Sequence, residues 1–255
     1  MDREKLDSLM LLAEEIDDSL PRRRRPEHIP YPELPKGARN AVARQWKSLL
    51  WSIDNAEQHG KHALQGLTVA LARVIIGEGL QGLILNAQES YKPPLDIPDL
   101  LWNEDLPLNK AGQSMRQLAV KLPRTISVEL NETAVFPSPW ERSRFHGALQ
   151  KLGPGREWGP WKQDRRNHFS FAWRPWPVVW VHNGNHSTMA ALVRGGGKLK
   201  CTETFYFAPV LKAVNTDGVN WSRADTGSVI EKVRSLPMAG IFVIGQRLLA
   251  FKRRR

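Results

Sequence analysis

Between Val178 and Val193 lies the densest set of residues able to do chemistry. An apolar run leads through Gly184 into Asn185, His186, Ser187 and Thr188, and then into Met189, Leu192 and Val193. This reads as a strand, a glycine turn and a short helix closed by Gly195, Gly196 and Gly197. A turn of this kind gathers several unpaired backbone N–H groups at one point, where an anion can be held. Gly184 permits a positive φ and a close approach of backbone to ligand. Asn185, Ser187 or Thr188 can cap the helix, and Met189, Leu192 and Val193 at i, i+3, i+4 give it an apolar side. The plainer alternative is a capped strand-to-helix turn carrying a surface histidine.

Upstream, Val135 and Phe136 lead into Pro137, Ser138, Pro139, Trp140, Glu141, Arg142, Ser143 and Arg144, and a helical pattern follows through Leu152. The two boxes together, over residues 136–210, resemble the ParB/sulfiredoxin-like superfamily. The resemblance implies a mixed α/β domain in which Gly184, Asn185, His186, Ser187 and Thr188 cradle a nucleotide phosphate. Arg142 and Arg144 match the arginines of the first box, and Asn185 or His186 would orient the phosphate for hydrolysis. It further implies a nucleoside triphosphate with Mg as cofactor, and activity as a nucleotide hydrolase or DNase.

Two departures stand out. Ser187 occupies the place of the usual closing arginine, and Asn185 that of the sulfiredoxin cysteine. The variant box, with Asn167 and His168 before it, looks most like an uncharacterised bacterial branch. Relatives occur in plasmid partition and in plasmid-borne inhibitors of conjugation. In size, basicity and its single cysteine the chain also resembles a product of the kla operon of broad-host-range plasmids, associated with tellurite resistance and fertility inhibition. The expected partners are accordingly nucleotide, nucleic acid and a protein of the DNA-transfer machinery.

The charge balance agrees with a polyanionic partner. Thirty-seven Lys and Arg against 26 Asp and Glu leave a net +11 over 255 residues, which favours nucleic acid or an acidic surface. Arg22, Arg23, Arg24 and Arg25 stand between Pro21 and Pro26, an extended cationic segment suited to phosphate contact or to pairing with the acidic face of the preceding helix. Six of the ten tryptophans fall between Trp140 and Trp180, interleaved with basic residues. Trp158 and Trp161 sit among glycines and prolines, and with Arg165 and Arg166 they form a candidate nucleic-acid grip; core packing is the alternative for each ring. The lone Cys201 excludes a disulfide framework and suits a reducing, cytoplasmic setting. The polar start is unlike a signal peptide, and Arg73, Glu78 and four glycines interrupt the apolar run from Leu64 to Leu85, so no membrane span is expected. His59 with His62, and His182 with His186, lack further ligands, so no metal site is expected. P-loop and nucleophile-elbow patterns are missing.

The positioning elements follow from periodicity. An amphipathic helix and an Arg/Pro linker fill 1–38, and a helical region spans 39–123. It comprises two or three helices over 40–86, a proline-rich loop over 92–109 and a helix over 113–122. From Thr125 the pattern turns to β, and 124–255 reads as a ParB-like α/β domain. That part includes a hairpin turn at 215–218, a brief helix at 229–233, a strand pair over 238–251 and a cationic tail. The class is α+β. Three functions remain open: nucleotide binding with hydrolysis, DNA binding or cutting, and a domain without turnover that inhibits by binding another protein.

Overall fold

The structure is a computed structural model that describes residues 38–252. The Arg22–Arg25 segment, the first helix and the last three residues of the cationic tail lie outside the described residues.

Two helices open the fold. The first, α1, is Ala38–Gln58, and α2 is Lys61–Leu85, with Gly60 at φ 92° in the joint. Leu64, Ala72, Ile75, Ile76 and Leu83 recur at helical spacing and are buried. The apolar length that might cross a membrane is therefore used here for packing. Among the described residues α2 is the one helix long and apolar enough to span a bilayer; in this fold it lies against α1, the strand at 134–136 and the last helix. The guanidinium of its Arg73 donates to the carbonyl of Leu130 at 3.0 Å.

That last helix is the main surprise. Residues 236–252, expected in part as a strand pair, form one helix. Met238, Ile241, Phe242, Ile244 and Leu248 are buried, a helical rather than alternating pattern. The misleading signal was Gly245, which looks like a turn residue. Its role is close contact, because a Cβ there would lie 2.5 Å from Cδ1 of Trp176. The Trp176 indole N–H donates to the carbonyl of Ile241 at 2.8 Å, which ties the helix to the sheet.

The loop over 92–109 is ordered by its own apolar residues. Leu95, Leu100, Leu101, Trp102 and Leu108 are buried, with a single helical turn, α3, at Ile97–Leu100. Trp102 meets Trp221 edge-on at 5.0 Å and Phe242 at 5.6 Å. The helix expected over 113–122 shrinks to α4, Met115–Leu118, and is followed by a strand, because Val120 and Lys121 pair with the sheet.

The main sheet has five strands: β1 (Val120–Lys121), β3 (Ala134–Phe136), β4 (Phe169–Arg174), β5 (Val178–Asn183) and β7 (Glu203–Tyr206), in the order β1-β7-β4-β5-β3. β5 runs parallel to β3 and antiparallel to β4, with Phe136 and Phe171 both in register with Trp180. Between β3 and β4 lies helix α5 (Arg142–Lys151), and β5 passes through Gly184 into α6 (Asn185–Val193). The two helices pack on each other. A two-stranded ladder joins β2 (Ser127–Glu129) to β6 (Lys198–Lys200). After α7 (Ala208–Ala213) come β8 (Val214–Thr216), β9 (Asn220–Arg223) and β10 (Val229–Lys232), a three-stranded meander whose first turn is the expected hairpin. Residues 229–232 are thus strand rather than helix, since Val229 and Glu231 reach a partner in β9. The helix 236–252 is α8.

The architecture is α+β, an N-terminal helical part followed by a β-rich part. One core joins them: β1 enters the sheet from before residue 123, and α8 returns to α1 and α2.

Two outcomes are expected from this packing. Gly245→Val drives a branched side chain into the Trp176 indole and should lower stability by about 1–3 kcal/mol, read as a lower urea midpoint. Burial pushes the Cys201 thiol up to about 11, with a bond to Ser170 opposing. The native protein at pH 8 should therefore react with a maleimide only as fast as it unfolds.

Candidate anion-binding site

The turn from β5 into α6 is built on two contacts that leave Gly184 irreplaceable. Its φ is +80°, in the left-handed region, and a Cβ would meet the His168 ring at 2.3 Å. His168 is 5% exposed and packs edge-on against Trp161. The Asp164 backbone N–H donates to His168 Nδ1 at 2.9 Å, so the ring carries its proton on Nε2 and gives it to Ser187 Oγ at 2.7 Å. Ser187 in turn donates to the carbonyl of Gly184 at 3.2 Å. This polarity is the reverse of what an activated serine needs, since the base would have to accept from the hydroxyl. Ser187 is held, not armed.

No side chain caps α6 in the usual sense; Gly184 is the cap residue. Asn185 works across the fold instead. Its Oδ1 accepts the Ser138 N–H at 2.9 Å and its Nδ2 donates to the His182 carbonyl at 3.3 Å, so one buried amide joins the proline box to the glycine box. Thr188 is fully buried and does not line the pocket. The amides of Asn185, His186 and Ser187 have no acceptor among the described residues, whereas that of Thr188 donates to Gly184.

These amides open on a cavity of about 370 Å³. His186 forms part of its wall, half-buried beneath Trp140, whose ring stands edge-on at 4.6 Å. The Glu141 backbone N–H donates to His186 Nε2 at 3.1 Å, which leaves the proton on Nδ1. Burial first, and the nearby Arg144 cation second, hold the imidazole below its ordinary value, against a smaller opposite pull from Glu141. A neutral donor, rather than a base, therefore faces the cavity.

The two arginines of the first box separate. Arg144 lines the cavity and is kept at its mouth by Glu141 at 2.8 Å. Arg142 turns away: it donates to the Asn86 carbonyl at 2.8 Å and pairs with Glu89 at 3.4 Å, fastening α5 to the loop after α2. Glu89 also accepts the Ser143 N–H at 2.7 Å, which lowers its own pKa. Trp158 is half exposed in the cavity wall, with the Lys151 ammonium 5.4 Å over its ring. Trp161 is buried against Gly197 and is no part of an exposed grip. Arg165 and Arg166 are exposed in the turn before β4.

Lys151 and the pair Asn167 and Asn183, linked at 3.2 Å, complete the wall and were given no role by spacing alone. Their only signal was the Asn-His pair ahead of β4. No group of three or more His, Cys, Asp or Glu able to hold a metal occurs among the described residues.

Residues 42–254 match a family of unknown function, DUF6710. The chain belongs to that family. No curated protein and no solved structure matches this DUF6710 chain.

The lowered His186 pKa has a sign. Protonation must break the Glu141 N–H bond and place a second cation beside Arg144, so the folded state binds its proton more weakly than the unfolded chain. His186 thus contributes stability that is present above about pH 6.5 and lost as pH falls through the depressed folded value. The drop in melting temperature between pH 7.5 and 5.5 should be smaller in His186→Gln, which keeps an acceptor for Glu141, than in the wild type.

Proposed function

We propose that this DUF6710 protein binds the phosphate of a nucleotide or of nucleic acid at the β5–α6 turn, in the manner expected of a ParB-like domain, without turning it over. The observation that carries the reading is the convergence on one cavity of three unpaired helix amides, the His186 N–H, Arg144 and the exposed rings of Trp140 and Trp158. Amides and guanidinium suit a phosphate, and rings beside cations suit a base. The net charge of +11 supports a polyanionic ligand. Exposed Arg165 and Arg166 extend the positive surface near Asn167, and the Arg22–Arg25 segment adds to it in sequence.

Binding is favoured over hydrolysis by a specific observation. Asn185 spends both ends of its amide on the protein, His186 has its basic nitrogen occupied, and the Ser187 hydroxyl is committed to Gly184. Nothing in this set takes a proton from water. The protein then acts as a regulator, and we place it with plasmid-borne inhibitors of conjugative DNA transfer, in the cytoplasm, blocking a protein of the transfer machinery. The likeness of the two boxes supports that setting, as does the single buried thiol, which suits a reducing compartment better than chemistry on tellurite.

Calorimetric titration with nucleoside mono-, di- and triphosphates, with and without Mg, tests the reading. Wild type should bind at least one nucleotide without releasing phosphate. Arg144→Ala should weaken binding about tenfold or more, the scale of a lost charge-assisted bond. Affinity for single-stranded DNA should fall steeply with salt. Absence of heat with every nucleotide, together with DNA binding indifferent to salt, would end it.

A further inference from the structure

A second and larger cavity, about 820 Å³, adjoins the first across Trp140 and Asn185, which line both. It lies within the range of about 300–1,000 Å³ usual for small-molecule sites. Register puts Phe171 and Trp173 of β4, Trp180 of β5 and Phe205 of β7 on one side of the sheet, and these rings form its floor. Trp173 and Trp180 stand 4.7 Å apart, and Phe171 meets Phe205 at 6.1 Å. Trp173 is only 6% exposed, yet its indole N–H has no acceptor among the described residues, so the floor holds a donor waiting for an oxygen.

The rim is acidic on its inner side. Asp96, Glu104 and Glu203 line the cavity, each paired with a cation: Lys92, Arg116 and Lys121 respectively. In every pair the carboxylate is the more covered partner, at 39, 27 and 30% side-chain exposure against 64, 62 and 62% for the cations. The cations reach outward, whereas the carboxylates face aromatic surface. Each carboxylate keeps lone pairs beyond those its partner uses. The anion pocket next door has the opposite character, with Arg144 and Lys151 in its wall.

The geometry points to a second binding site in this cleft, for a small organic cation: an ammonium or amidinium on an aromatic or alkyl body. Ring faces attract a cation through their quadrupole, more strongly where water is excluded, and the inward carboxylates add charge complementarity. The ligand body covers Phe171 and Phe205, its charged group replaces the solvent-facing cations as partner to Glu104 or Glu203, and the Trp173 N–H takes a hydroxyl or carbonyl oxygen beside it. The site is independent of phosphate binding, since none of its charged groups lines the other pocket.

The test uses the full chain with phenethylamine and its acidic counterpart 3-phenylpropionate as probes, followed by calorimetry and tryptophan fluorescence. The amine should bind and the acid should not. Glu104→Gln, Glu203→Gln and Phe171→Ala should each weaken the amine about tenfold, while Arg144→Ala leaves it unchanged. Retained melting temperatures in the Gln variants exclude misfolding as the cause. Equal binding of amine and acid, binding untouched by all three variants, or no binding of the amine at millimolar concentration would overturn the site. None of these results bears on nucleotide binding, which Arg144→Ala reports separately.

Discussion

The bond between the Asn185 carboxamide and the Ser138 backbone N–H is the constraint on which the arrangement rests. Both partners are buried, and the second end of the same amide holds the His182 carbonyl. A buried donor left unpaired costs about 1–3 kcal/mol, so the proline box and the glycine box cannot drift apart cheaply. Everything functional is hung from that link. Ser138 sets where Trp140 and Glu141 emerge, Glu141 fixes both His186 and Arg144, and Gly184 fixes where the helix amides point. The residue expected to act on a ligand is instead the residue that keeps the two walls together.

Much of this was legible in the sequence, and for identifiable reasons. The strand-glycine-helix unit at 178–193 announced itself through an unbroken apolar run, a glycine and a helical repeat, all of them local signals. The hairpin at 215–218 did the same through its turn residues. Gly245 and the loop over 92–109 were misread because their roles are set by residues far along the chain. A glycine that admits an indole looks identical to a glycine that makes a turn, and Trp102 finds Trp221 and Phe242 only after the fold closes. Val229 likewise reads as helix until β9 offers it a partner.

The site was legible in place but not in role. Spacing located Gly184, Asn185, His186 and Ser187 at one turn; it gave no information about hydrogen-bond direction. Which nitrogen of His168 or His186 carries the proton depends on the backbone amides of Asp164 and Glu141, remote in sequence from the box. The same applies to the arginines. Arg142 and Arg144 are two residues apart on a helix and so point in different directions, one to the Asn86 carbonyl and one to the cavity. Equal motif status did not mean equal position.

The sheet order has a consequence for how the chain reaches this state. Its neighbours come from far apart: β1 waits for β7, β3 for β5, and α1 and α2 for α8 near residue 250. Local contacts are outnumbered by closures over long loops, a topology associated with slow folding. During synthesis the apolar sides of α1 and α2 are made roughly 150 residues before the helix that covers them. A nascent chain must therefore keep those surfaces from self-association until its final segment has emerged. The last helix acts as the latch of the whole molecule, and the cell must guard the unlatched form.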